Sequence, residues 1–207
     1  DVYKRQLYEL GEISGKSIFI DGTKIESVAN KYTFVWKKTV TKSMAKLFDK
    51  ISELVSECET LYGLKIVYRN EISLHTLKRM RKKLYKIKNE EQIEFVHGIG
   101  KRKTSLQKSI ETLETYIEKL KEYTKKIHVC GERNSYSKTD PAATFMRMKE
   151  DAMMNGQLKP AYNLQQGVDS EYITWLAISE RPTDTRTLIP FLKEMEEYLT
   201  FKYKEIV

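Results

Sequence analysis

Residues 17–22, with the sequence Ser-Ile-Phe-Ile-Asp-Gly, decide the fold that this chain predicts. The run is apolar and β-branched up to its carboxylate, Asp21, and an Asp-Gly pair is typical of a turn. It therefore predicts a β-strand that ends at Asp21, next to Gly22. The aromatic and β-branched run Lys31–Trp36 predicts a second strand.

The apolar residues then change to a helical spacing. They recur every three or four positions within residues 39–62, 72–95 and 104–127. This spacing predicts three helices folded back on one another, because apolar stripes need partner helices to cover them. Thr104 or Ser105 is the predicted N-cap of the third helix.

The pair Asp140-Pro141 predicts the start of a fourth helix, which Asn155-Gly156 would end. The Asp140 side chain would be its N-cap and would accept hydrogen bonds from backbone N–H groups of the first turn. A metal-ligand role for the Asp140 carboxylate is the alternative, and the strong helix-start signal disfavours it.

Three more strands and a helix complete the pattern. The strands are Tyr162–Val168, Tyr172–Ser179 and Tyr203–Val207, and the helix begins at about Asp184. The first two strands should form a hairpin at Asp169-Ser170, and Pro190 should kink the helix or shorten its first turn. With the helices between residues 39 and 156 set aside and the two runs before them counted as one element, the order is strand, strand, strand, helix, strand. That order predicts an α/β fold, the truncated start of a ribonuclease H-like core, interrupted by a long antiparallel, coiled-coil-like helical insertion.

The predicted domain organisation follows from this order. Residues 7–36 and 129–207 would form the incomplete ribonuclease H-like core, and residues 37–128 the basic helical insertion. One possible coding sequence of residues 1–6 resembles the adapter end that is used in sequencing libraries. We therefore treat these residues as a suspected scar and leave them out of the fold prediction.

Positive charge is concentrated in the predicted insertion. The 207-residue chain has 37 Lys and Arg against 29 Asp and Glu, a formal net charge of +8. Lys37–Lys126 holds 22 basic and 12 acidic residues, a net of +10, so the rest of the chain is at −2. This distribution favours an acidic partner such as nucleic acid.

Composition excludes other classes of protein. Hydrophobic residues make up 40% and charged residues 32%, which is typical of a soluble globular chain. No apolar run approaches the ~18–20 residues of a membrane span, so no membrane partner is expected. Cys58 and Cys130 are too few for a disulfide scaffold, and a lone His128–Cys130 pair is usually structural. A reducing cytoplasm is the expected location.

Two separated blocks of sequence resemble one family. Residues 18–26 (IFIDGTKIE) and 30–38 (NKYTFVWKK) resemble the first catalytic motif of bacterial insertion-sequence transposases of the DDE type. Residues 136–149 (YSKTDPAATFMRMK) and 155–163 (NGQLKPAYN) resemble the stretch before that family's next core strands. The helical block between them, with Gly98, Gly100, Lys101 and Arg102, is also similar to the family. The resemblance covers essentially Leu7–Val207.

The resemblance implies a DNA transposase that cuts and joins phosphodiesters at transposon ends. Its ribonuclease H-like core would hold two Mg²⁺ ions, or Mn²⁺ as a substitute, on an Asp, Asp, Glu set. Asp21 matches the first carboxylate and is the expected catalytic and metal-binding residue. In the family the second Asp lies just beyond a strand like residues 205–207, and the Glu lies further on. The chain as written should therefore be inactive. From spacing alone, the strand-ending turn remains the alternative for Asp21.

A basic helical face provides the expected DNA contacts. The candidate residues are Lys78, Arg79, Lys82, Lys83 and Lys86, together with Lys101 and Arg102 in the following loop. At 100° per residue, the five helical side chains lie opposite Leu77, Met80 and Leu84. The alternative is a merely solvated face, which is common for charged helices.

The expected partners are transposon-end and target DNA, and a further copy of the chain in a homo-oligomer of the complete protein, in the bacterial cytoplasm. One alternative function is a non-enzymatic DNA-binding or coiled-coil interaction module, such as a decayed transposase remnant. Another is a ribonuclease H-like nuclease without strand transfer. Only the enzymes need further carboxylates after Val207.

Overall fold

A computed structural model gives the positions of residues 2–68, 72–148 and 156–207. The chain divides into two compact units. The sheet unit joins the residues up to Trp36 with those from Glu132 onward, and the helical unit is Lys37–Gly131.

The helices are α1 (Val2–Glu9), α2 (Lys37–Tyr62), α3 (Leu74–Glu90), α4 (Ser105–Cys130) and α5 (Leu188–Tyr198). The strands are β1 (Ser17–Glu26), β2 (Phe34–Trp36), β3 (Ser135–Ser137), β4 (Thr144–Arg147), β5 (Leu158–Asp169), β6 (Tyr172–Ser179) and β7 (Glu205–Ile206). The predicted α/β class is confirmed.

The main sheet is mixed and is built around β1 and β5. β1 pairs antiparallel with β5 and parallel with β7. β4 and β6 both pair antiparallel with β5. The predicted hairpin between β5 and β6 is confirmed, and Ser170 takes a positive φ of 58° in its turn. β2 pairs with β3 in a separate two-stranded sheet.

The prediction that the first strand ends at Asp21 is wrong. β1 continues to Glu26, because β5 is long enough to pair with it from Phe19 onward. Gly22 does not form a turn. It lets the Gln165 side chain approach β1 closely, because a Cβ at residue 22 would lie 2.3 Å from the Gln165 Nε2 atom. Asp21 therefore lies inside a paired strand.

α5 covers one face of the sheet. Phe191 and Met195 are buried against Ile18 of β1. Gly167 of β5 leaves room for this contact, because a Cβ there would lie 2.5 Å from the Ile18 Cδ1 atom. The helix is predicted from about Asp184 but begins four residues later, so that Pro190 falls in its first turn.

A 3₁₀ turn, Asp184–Arg186, precedes α5. The Asp184 carboxylate accepts hydrogen bonds from the side-chain amides of Asn163 and Gln165, both at 2.8 Å, which hold this turn on the sheet. At the start of the helix, Leu188 is 38% exposed, whereas Phe191 is buried against the sheet.

The prediction of a helix from Asp140 is also wrong. Residues 140–143 form a turn, in which the Ala143 N–H donates to the Asp140 carbonyl at 3.1 Å. β4 follows, with Phe145 and Met146 buried while the strand pairs with the start of β5. Burial of these side chains on a sheet outweighs the local helix-start signal. The predicted end at residue 155 lies outside the described residues.

The helical unit is a bundle in which α4 packs against both α2 and α3. The α2 and α4 helices run antiparallel: Lys37 Nζ donates to the Gly131 carbonyl, and Tyr62 Oη lies 3.4 Å from Ser109 Oγ. The fully buried side chains of the helical unit include Ile51, Cys58, Leu77, Leu84, Ile110 and Leu113. None of the described helices is long and apolar enough to cross a membrane.

The predicted three-helix pattern is confirmed within the described residues, with shifted ends. The predicted Thr104 cap of α4 is also confirmed, because its hydroxyl accepts from the Gln107 N–H at 3.2 Å. α3 ends at Glu90, earlier than predicted, whereas α4 runs on to Cys130.

Candidate functional site

Asp21 lies near the middle of β1 with its side chain exposed to solvent. Side chains alternate along a strand, so Asp21 lies on the face opposite Ile18 and Gly22, away from α5. Its Oδ1 atom accepts a hydrogen bond from the Gly22 N–H at 2.8 Å. In the antiparallel register Asp21 is opposite Gln166 of β5. A carboxylate in this position is accessible to a ligand that approaches that face.

The sheet face that carries Asp21 is unusually apolar for exposed surface. It includes Phe19, Ile173, Leu176 and Ile178, each between 48% and 66% exposed. Large exposed apolar areas normally mark a surface that another element or partner covers.

On the other side of β1 runs β7. Val207 donates from its N–H to the Ile18 carbonyl at 2.9 Å, and its carbonyl accepts from the Ile20 N–H at 3.1 Å. This parallel ladder ends beside Asp21 and runs in the same direction as β1.

Among the described residues, no group of three or more His, Cys, Asp or Glu side chains is placed to hold a metal ion. Asp21 offers a single carboxylate, whereas two Mg²⁺ ions need several anionic oxygen ligands. His128 is exposed and Cys130 is buried, so this predicted structural pair does not share one environment.

Asp140 joins three parts of the sheet unit. One of its carboxylate oxygens accepts hydrogen bonds from the Ser27 hydroxyl and the Tyr162 hydroxyl, both at 2.6 Å. The Ser27 and Tyr162 hydrogen bonds hold the pKa of the Asp140 carboxyl below its usual range. Burial, followed by the Asp140 hydrogen bond, raises the pKa of Tyr162 to about 12. Asp140 is thus not a helix cap, and it belongs to no metal-binding group of three or more side chains among the described residues.

We expect Asp140→Ala to lower the free energy of unfolding by about 1–3 kcal/mol at pH 7, because two hydroxyls lose their acceptor. The folded-state pKa of Asp140 is depressed, so its contribution is present above the unfolded pKa of about 3.9 and is lost as pH falls through the folded pKa. Urea unfolding at several pH values measures the difference. Asp49→Ala, at an exposed helical position, is the control and should cause no such loss. Equal stability of the two variants at pH 7 would refute the role of Asp140.

The structure brings five of the predicted DNA-binding residues together on one face of α3. Lys78, Arg79, Lys82, Lys83 and Lys86 are all exposed. The opposite face carries the buried Leu77, Met80 and Leu84, as the helical spacing predicts. Lys101 and Arg102 are exposed in the loop before α4.

These cations differ in their local contacts. Arg79 Nη2 donates to the Val67 carbonyl and Lys83 Nζ to the Lys65 carbonyl, both at 2.8 Å. Lys86 lies 3.5 Å from a Glu90 carboxylate oxygen. Within the described part of the chain, the side chains of Lys78 and Lys82 make no hydrogen bond or ion pair. Their side chains are therefore the least restrained of these cations on α3.

No family model, no curated protein and no solved structure matches the chain.

A cavity in the sheet unit was not predicted from the sequence. It has a volume of about 730 Å³ and its lining includes Trp36, Phe145, Arg133, Arg181 and Arg186. Arg181 Nη2 lies 2.5 Å from Glu132, and Arg133 Nε lies 3.3 Å from Glu180, so carboxylates offset much of its positive charge. The lining comes from distant segments that no sequence spacing connects.

Proposed function

We propose that the chain is the first part of the catalytic domain of a DDE-type DNA transposase, with a ribonuclease H-like core in which Asp21 is the first metal-binding carboxylate. The observation that carries this proposal is the position of Asp21, exposed inside a strand that pairs antiparallel with β5 and parallel with β7. The resemblance of residues 18–26 and 136–149 to that family supports it.

The sheet topology also supports the proposal. With the helical unit and β2–β4 set aside, β1, β5 and β6 follow one another as antiparallel neighbours. α5 comes next in the chain, and β7 then pairs parallel with the other edge of β1. The order β6-β5-β1-β7 is the one expected for the start of a ribonuclease H-like core.

The remaining carboxylates would come from residues that follow Val207. The direction of β7 carries the chain alongside β1 towards Asp21, which is where the family's second Asp belongs. Bound Mg²⁺ would activate water or a DNA 3′-hydroxyl and stabilise the leaving oxygen. Asp21 itself contributes a fixed anionic oxygen, oriented by the Gly22 N–H. Further chain would also cover the apolar face around Phe19. The test of this catalytic role is DNA cleavage that depends on both Mg²⁺ and Asp21.

The proposed DNA partner is supported by the charge of the helical unit, +10 over Lys37–Lys126. We expect Lys78→Glu with Lys82→Glu to weaken binding to duplex DNA and to flatten the slope of log affinity against log salt. Each lost phosphate contact should reduce that slope by about 0.9. Lys78 is a better site for the substitution than Lys83, because Lys83 Nζ already donates a hydrogen bond to the Lys65 carbonyl.

The matched control is Lys46→Glu with Lys50→Glu, which makes the same charge change at exposed positions of α2. Fluorescence anisotropy across a salt series measures both double variants. The α3 variant should show the larger loss of affinity and the flatter slope. If the two variants behave alike, the α3 face is merely solvated.

A further inference from the structure

The loop between α3 and α4 holds an isoleucine in full contact with solvent. Ile99 is 105% exposed. It lies between Gly98 and Gly100, which have positive φ angles of 106° and 83°. Apart from the glycine itself and its two chain neighbours, no heavy atom lies within 4 Å of a Cβ built at either position. Single exposed apolar residues are common on protein surfaces, so exposure alone does not indicate a ligand.

Both ends of this loop are fixed by one hydrogen-bonded chain. Gln107 is fully buried, and its amide accepts from the Val96 N–H at 3.0 Å and donates to the Val96 carbonyl at 2.8 Å. The same amide nitrogen donates to Glu111 at 2.9 Å, and Glu111 accepts from Lys103 Nζ at 2.6 Å. Val96, before the tip, and Lys103, after it, are thereby both tied to α4. Residues 97–102, which we call the tip, are held between these two points.

Basic residues are close to the apolar side chain in sequence. Lys101 and Arg102 follow Ile99 and are exposed, and His97 precedes it. The acidic group nearest in the hydrogen-bonded chain, Glu111, is already paired with Lys103. An exposed apolar side chain with cations next to it is complementary to duplex DNA, in which phosphates lie on either side of the stacked bases.

We propose that residues 97–102 form a DNA-docking tip, in which Lys101 and Arg102 bind phosphates and Ile99 inserts between base pairs from the minor groove. Apolar side chains inserted in this way unstack a base step and kink the duplex. This inference rests on the proposed function only in taking DNA as the partner of the helical unit, and it does not depend on Asp21.

The test uses the 207-residue chain and a duplex that carries 2-aminopurine and a donor–acceptor dye pair at its ends. The parent chain should increase the 2-aminopurine fluorescence and shorten the end-to-end distance. Ile99→Ser should lose both signals and weaken binding about tenfold, with an unchanged salt slope, since Ile99 contacts no phosphate. Lys101→Ala with Arg102→Ala should lower the slope by about 1.8, at about 0.9 for each contact.

Val67→Ser is the matched control, because Val67 is also an exposed aliphatic residue of the helical unit, at 76%. It should leave all signals unchanged. If Ile99→Ser keeps the fluorescence and distance changes, the insertion is refuted while DNA binding stands. If the parent chain binds no DNA, or binds only vesicles of anionic phospholipid, the tip proposal and the DNA partner both fail. Cleavage dependent on Asp21 remains a separate readout of the catalytic proposal.

Discussion

Phe191→Ala should lower the free energy of unfolding of the sheet unit by about 3–5 kcal/mol. Phe191 is 1% exposed and packs with Ile18 and Met195, so its removal leaves a cavity between α5 and the sheet. Gly167, whose missing side chain admits Ile18 and Phe191, cannot fill that cavity. A loss of this size is a large fraction of the stability of a typical domain.

Ile189→Ala is the matched control, because Ile189 lies on the same helix but is 63% exposed. It should change the stability by less than about 0.5 kcal/mol. Urea unfolding followed by tryptophan fluorescence reports on the sheet unit alone, since Trp36 and Trp175 both belong to it. Equal losses in the two variants would contradict the packing of α5 against β1, and with it the assignment of Asp21 to the opposite face.

The elements that the sequence predicts well are those whose own periodicity determines them. The apolar stripes of α2 and α4 repeat over many turns, so both helices are recognisable without knowledge of their partners. The hairpin at Asp169-Ser170 is local for the same reason. The Thr104 cap is also local, because its hydroxyl accepts from the N–H of Gln107, three residues further along the chain.

The failed predictions are those in which a distant segment decides a local choice. Asp140-Pro141 carries a helix-start signal, but Ser27 and Tyr162 bind the Asp140 carboxylate and β5 pairs with the chain that follows. The end of β1 depends on the length of β5, 130 or more residues away in the chain. Such non-local pairing leaves no trace in the spacing of residues.

Asp21 shows the same limit for the candidate site. Its neighbour Gly22 favours a turn in sequence, whereas in the structure Gly22 makes room for the Gln165 amide. Only the pairing of β1 with β5 and β7 distinguishes a strand-borne carboxylate from a turn. The arginine-lined cavity near Trp36 was missed because its residues come from five separate segments.

Asp21→Asn should abolish Mg²⁺-dependent DNA cleavage by an extended protein that carries the proposed further carboxylates after Val207. The amide keeps the shape of the side chain, and its oxygen can still accept from the Gly22 N–H. It loses the negative charge that a hard divalent cation requires. We therefore expect a fall in rate on the order of 10³-fold or more. Glu12→Gln, at an exposed position of the same unit, should leave the rate unchanged.

The 207-residue chain is expected to show no cleavage, since one carboxylate cannot hold two Mg²⁺ ions against their mutual repulsion.

The most direct test of Asp21 as a catalytic carboxylate is the DNA-cleavage assay. Its substrate is DNA that carries the two ends of the proposed transposon. Strand cleavage is measured with Mg²⁺ and with the ion removed by chelation. The account predicts cleavage by the extended protein with Mg²⁺, and none by its Asp21→Asn variant. Undiminished cleavage by the extended Asp21→Asn protein, or Mg²⁺-dependent cleavage by the 207-residue chain, would contradict it.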